Sequence, residues 1–238
     1  MQKKGLFWVI LPIVLLVING GFVWYQSVQQ LQTHLTIRQL HNNVTTRIEA
    51  DIFFGANGSK MLSHFTYPQE YFISTNNKGE FKAYDPTNNT LISEQNFALS
   101  SDINLFAYFF RHKTADLGLQ ELGFGLISAD AEETYIIQNW KAIHVDNPVQ
   151  RVELVHENDA PIFMAYYDIN ETCLRKVFFD VYKKVGNFTL PSNITEINYL
   201  APNDSMIQKT VYSNFLINDA VDSKMLNYQI PANAKLLK

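Results

Sequence analysis

Six histidines, His34, His41, His64, His112, His144 and His156, have the widest chemical repertoire in this 238-residue chain, because imidazole can bind metal, shuttle protons or activate a nucleophile. Their spacing supports none of these uses. No H-x-H or H-E-x-x-H occurs, and zinc sites need ligands clustered in that way. His34 and His41 stand seven residues apart, which on a helix gives two histidines of one polar face. The only cysteine, Cys173, sits in an apolar strand-like run with no histidine signature beside it. It can make neither an internal disulfide nor a paired-cysteine knuckle. No G-x-S-x-G elbow is present. "GLQELGFG" (118–125) lacks the lysine of a phosphate-binding loop, and "DAEE" (130–133) lacks the alternating ligands and glycine turn of a calcium loop. Seven N-x-[ST] sequons, Asn57, Asn187 and Asn193 among them, fit the asparagine-rich composition. The chain offers no catalytic residue, no metal site and no cofactor site, so the expectation is that it is not an enzyme.

Composition narrows the class further. Nearly half of the residues are apolar and 13% are aromatic, enough for a substantial core and unlike a disordered chain. The formal charge is −4 with a pI near 5.8, and no Lys/Arg-rich stripe could neutralise phosphates, which argues against nucleic acid. At the start, Lys3 and Lys4 precede an uncharged run from Gly5 to Gln26. As a helix that run would be roughly 33 Å long, against a hydrocarbon core of roughly 30 Å. Trp24 and Tyr25 stand where an interfacial belt would lie. Residues 1–26 are therefore expected to be a membrane anchor or a signal peptide, and small residues for cleavage are poorly supplied. Either way the basic start directs the rest of the chain out of the cytoplasm.

The elements that follow are mostly strands. From Ser27 to His41, Val28, Leu31, Leu35 and Leu40 recur at roughly helical spacing, so 27–44 is expected to be a helical connection. Period two then takes over. In "TRIEADIFF", Ile48, Ala50, Ile52 and Phe54 share one face and Arg47, Glu49 and Asp51 the other, as in a half-buried antiparallel strand. "KMLSHFTY", "EYFIST", "EFKAY" and "TLISEQ" continue a meander, separated by Asn, Gly, Asp and Pro turns. "SSDINLFAYFFRHKTADLGLQELGF" breaks it, with Ile103, Phe106, Phe109 and Phe110 at helical spacing behind a Ser/Asp cap. "GFGLISA", "ETYIIQNW", "VQRVELVHE", "APIFMAYYDIN", "CLRKVFFDVYKKV", "SNITEINYLA", "IQKTVYSNFLIND" and "LNYQIP" resume the strands. Roughly twelve strands form one domain over 45–238, mainly β with a few helices. "VFFDVY", "PIFMAYY" and "LFAYFF" carry bulk on both faces. Two arrangements account for that: a large filled core, or a curved sheet lining an apolar cavity with the helical insert as its lid.

The order and spacing of several landmarks resemble the LolA-like family of outer-membrane lipoprotein-sorting proteins. They are "TYPQEYFIS" with its strand-end Pro68, the hairpin "NNKGEFKAYDPTNNTL" and the closing "LNYQIPANAKLL"; "ADLGLQELGFGLI" and "FFDVYKKVGNFTLPSNITEINY" add to them. The resemblance covers about residues 45 to 238. It implies an incomplete antiparallel β-barrel closed by helices over an apolar cavity that holds acyl chains in the periplasm. The partners implied are a lipid or acylated lipoprotein and an inner-membrane lipoprotein-releasing transporter. The setting implied is the cell envelope, at the periplasmic side of the inner membrane if anchored and soluble if cleaved. Strand parity and the insert nominate Ile52, Phe54, Met61, Phe65, Phe72, Phe106, Phe110, Phe163 and Phe179 as the cavity lining. In the lipoprotein carrier an arginine before the strand-end proline latches the lid; here Tyr67 takes that place, and a hydroxyl cannot make a charge-assisted fork.

Overall fold

The computed structural model describes residues 28–55, 59–96, 99–101, 105–110 and 113–237; the expected anchor or signal over 1–26 lies outside them. Among the described residues fourteen strands form a single sheet. The first half runs β1 (Gln30–His41), β2 (Val44–Gly55), β3 (Lys60–Tyr67), β4 (Tyr71–Thr75), β5 (Glu80–Asp85) and β6 (Thr90–Gln95). Helix α1 (Leu105–Phe110) follows. The second half comprises β7 (Phe124–Glu132), β8 (Tyr135–Ala142), β9 (Arg151–Glu157), β10 (Ala160–Tyr167), β11 (Cys173–Val185), β12 (Phe188–Ala201) and β13 (Asp204–Ile217). Helix α2 (Ser223–Leu226) and β14 (Lys235–Leu236) close the chain. The spatial order is β14-β6-β5-β4-β3-β2-β1-β13-β12-β11-β10-β9-β8-β7, so each half is a meander and the β1–β13 pair joins them.

The helical connection expected over 27–44 is instead the central strand β1. Leu31, Thr33 and Leu35 are all buried, in strict alternation. Thr33 hid this period in the sequence because it is polar. Its hydroxyl donates to the Ser213 carbonyl at 2.8 Å, which makes full burial of that group affordable. The closing "LNYQIP" is likewise not a strand. Asp222 caps α2 by accepting from the Lys224 amide at 2.9 Å, and the chain then runs as a strap across the sheet. Only Lys235–Leu236 pair, parallel to β6. A strap burying alternate residues on one surface gives the same sequence period as a strand, without the ladder.

Both faces of the first half are covered. On one, Phe53, Leu62, Phe72 and Tyr84 pack against Val221 and Leu226, with Tyr228 and Ile230 of the strap beside them. The other face holds the main core, which takes in Leu31 and Phe54 of the first half and Trp140, Leu154, Val177 and Phe179 of the second. Tyr108, Phe109, Leu117 and Leu119 of the insert fill its centre, so this face curls about the insert. Topology requires a crossing: β7 is one edge of the sheet and β6 stands next to the other, inside β14, and the chain between them crosses on the concave face. Gly118 lets it lie flat there. Its φ is +77°, and a Cβ would stand 2.3 Å from the Tyr108 ring, a conformation and an approach only glycine tolerates. At the free edge, β7 carries a bulge between Leu126 and Ser128 and the carboxylates Asp130 and Glu132, devices that discourage pairing with another chain.

Candidate functional site

Alternation along β10, β11 and β12 sends Met164 and Tyr166, Val177 and Phe179, and Ile194 to the concave face, where Tyr108, Leu117, Leu119 and Leu122 of the insert oppose them. Between the two sets is a cleft of about 270 Å³, at the lower end of the size range of ligand pockets. Two charged residues interrupt its apolar wall, Arg175 and Glu196. They pair with each other, Nη2 to Oε2 at 2.6 Å, and the guanidinium lies over the Tyr166 ring, 5.4 Å from its centroid. The Arg175 Nε–H is buried without an acceptor. Burial pushes the Tyr166 phenol up from its ordinary value, against the opposing pull of Arg175; its hydroxyl contacts the Met164 sulfur at 3.7 Å.

Two further clefts differ in character. One of about 320 Å³ lies under the strap on the opposite face, lined by Phe72 and Tyr228, with Lys60, Lys82 and Glu80 around it. The other, of about 340 Å³, opens among Asn158, Asp159 and Asn187. Among the described residues no group of three or more His, Cys, Asp or Glu could hold a metal ion.

Hydrogen bonds tie the insert to the sheet at both of its ends. At its start the Ser101 hydroxyl donates to the Ser59 carbonyl and its amide to Asn76 O at 3.1 Å. At its far side His156, only 4% exposed on β9, reaches Thr114 O at 2.8 Å through Nε2. A carbonyl only accepts, so Nε2 carries the proton, and Nδ1 is left buried without a partner. Tyr67 is half exposed at the end of β3 and makes no hydrogen bond to the insert among the described residues.

The nominated lining residues separate into three groups. Phe179 lines the cleft. Phe54 and Phe110 lie beside it in the main core, their rings 4.9 Å apart, with Phe110 also 4.7 Å from Phe188. Ile52, Met61 and Phe65 extend the same concave surface towards Leu35 and Ala50. Phe72 faces the other way. It pairs with His64 and is stacked between His64 and Tyr228, each ring 4.3 Å away. Phe163 is also on the outer face, paired across β10 and β11 with Phe178 at 5.1 Å. Phe106 falls within α1 but its side chain lies outside the described residues. The parity argument does not reach Arg175, Glu196 or His156, although the sequence carries a signal for two of them: His156 follows Val152 and Leu154, and Arg175 precedes Val177 and Phe179, on inward faces that are otherwise apolar.

No protein-family model matches the sequence, and no curated protein matches it as a relative. Solved structures do match. A LolA superfamily protein of Nitrosomonas europaea is 12% identical with a TM-score of 0.54, covering 83% of this chain and 90% of that one. A putative outer membrane lipoprotein-sorting protein domain of Vibrio parahaemolyticus is 8% identical with a TM-score of 0.57, covering 83% and 89%. A DUF1329 family protein of Desulfovibrio piger is 13% identical with a TM-score of 0.56, covering 85% and 91%. At these identities the likeness is one of architecture, and in architecture this chain is LolA-like: an open antiparallel sheet with helices laid against it.

Proposed function

We propose that this protein binds the acyl chains of a lipid or acylated lipoprotein in the cell envelope, without catalysis. The observation that carries the reading is the apolar cleft between the concave sheet face and the insert packed over it. Burying a sixteen-carbon chain is worth roughly 12 kcal/mol at about 0.8 kcal/mol per methylene. The present cleft of about 270 Å³ is small for such a chain, so the ligand exchanges with insert side chains as the insert lifts. Tyr108, Phe109, Leu117 and Leu119 then act as a removable plug. Handover from an inner-membrane lipoprotein-releasing transporter belongs to the same reading, by analogy of fold.

A second reading is favoured by that same plug. If the insert never lifts, the concave face is an ordinary filled core and the protein is an envelope interaction module. Mass spectrometry of the organic extract of the purified full-length protein separates the two. Acyl species in stoichiometric amount, displaceable by an added fluorescent fatty acid, are expected. A lipid-free preparation that also ignores the fluorescent fatty acid would leave the interaction module.

A further inference from the structure

The inward positions of four adjacent strands, β2, β1, β13 and β12, bring together a polar row. Thr46 on β2 faces Gln39 on β1, Gln39 faces Gln208 on β13, and Gln208 faces Glu196 on β12. On β11 Val177 stands opposite Glu196, and Arg175, one inward position further out, reaches Glu196 through its ion pair. Two hydrogen bonds run along the row, Thr46 Oγ1 to Gln39 Oε1 at 3.4 Å and Gln39 Nε2 to Gln208 Oε1 at 2.7 Å, while Gln208 Nε2 turns inward to Thr210 Oγ1 at 3.4 Å. One step deeper on the same face the row reads Ile48, Ile37, Thr210, Ile194, Phe179. On β2, β1 and β12 hydrocarbon gives way to hydrogen-bonding groups between these two rows, with Thr210 the exception on β13, and the polar row meets the cleft at Glu196 and Arg175. Gln39, Gln208 and Glu196 are half-buried, and the Arg175 side chain is 40% exposed, so the belt can be reached.

We infer that this belt is the head-group subsite of an amphiphile whose acyl chain lies in the apolar depth, an inference that rests on the acyl-binding reading. The belt also specifies the head. Its two charges neutralise each other, while its amides and the guanidinium offer both donors and acceptors. It suits an acyl chain joined through an ester or amide to a hydroxyl-bearing head. A bare carboxylate would meet Glu196 beside the only cation in the row. Ester-linked glycerolipids and the acyl linkages of a lipoprotein share this chemistry.

The test is displacement of N-phenyl-1-naphthylamine from the full-length protein by monopalmitoylglycerol, N-palmitoylethanolamine, palmitate and a diacylglyceryl-cysteine peptide. The wild type is expected to prefer the ester and amide ligands over palmitate by about tenfold or more, the equivalent of one or two hydrogen bonds. Glu196→Gln unmasks the guanidinium and should raise palmitate affinity by about tenfold. Gln39→Leu with Gln208→Leu should weaken ester binding by a similar factor while leaving the hydrocarbon probe unchanged. The relative affinity of the peptide and the glycerolipid distinguishes the two sources. Equal binding of palmitate and monopalmitoylglycerol, with a ratio unmoved by Glu196→Gln, overturns the belt while leaving acyl binding standing. Failure of the wild type to bind the probe or any acyl ligand overturns both.

Discussion

His156 shows how one side chain can set the behaviour of the insert. Its Nε2–H is the described tie between β9 and Thr114, made in a buried setting where a lost partner costs about 1–3 kcal/mol. His156→Leu fills a similar volume but orphans the Thr114 carbonyl. Hydrogen exchange at the amides of residues 113–124 should then quicken with little change elsewhere, and uptake of a fluorescent fatty acid should quicken with it. His156→Gln, which keeps a donor near Nε2, should restore much of the protection. Unchanged exchange in His156→Leu would show the insert is held by packing alone. Phe179 tests packing at the same scale: Phe179→Ala opens a void between the cleft and the main core and should cost about 3–5 kcal/mol in denaturant unfolding. Asp85 gives a pH signature. Hydrogen bonds from Asn88 and the Thr87 amide hold its carboxyl below the ordinary value. That contribution is complete above the ordinary carboxylate range and is lost as pH falls through the lowered value. Exchange in residues 80–95 should therefore rise below about pH 4, and less so in Asp85→Asn, which no longer titrates.

Among the elements, the insert and the strap are where sequence and structure part company most instructively. The hairpins from β2 to β6 and β8 to β12 follow from period-two alternation and turn residues, and they lie within a few residues of where the sequence puts them. Alternation is a local property, so it survives any assembly of the sheet. Which face looks inward is not local. Phe72 and Phe163 are as apolar as Phe54 and Phe179, yet they face outward. For Phe72 the reason is the strap, a segment more than 150 residues away in sequence that covers the second face. β1 conceals its period for a related reason, since the partner that satisfies Thr33 is on β13. The insert's position depends on the edges of a sheet that exists only once all strands pair. Gly118→Ala addresses it directly. Positive φ and the Tyr108 ring both oppose a Cβ there, so the variant should lose more than about 1 kcal/mol and expose Tyr108 to quenching while strand-region circular dichroism persists. An insert as well protected as in wild type would contradict the close approach.

At the scale of the whole molecule, the sheet is one cooperative object because β1 is shared. It pairs with β2 along its length and with β13 from Leu31 to Leu40, so neither meander is complete without it. Leu31, 1% exposed, sits where the halves meet in the main core. Leu31→Ala should cost about 2–5 kcal/mol and lower protection in β4–β6 and β9–β11 together, with a single calorimetric transition. Two separated transitions would mean that the halves fold as independent units. The direction in which β1 runs has a consequence for reach. Gln30 lies at the end of the sheet where Gly55 and Ile217 pair nearby, whereas Gln39, in the polar belt, is nine residues further along the strand. At about 3.3 Å per residue that is about 30 Å. The first described residues and the polar belt therefore lie at opposite ends of β1, so a label at Gln30 and a ligand held beside Gln39 should report a separation of about 30 Å, whereas a ligand held at the Gln30 end would report a far shorter one.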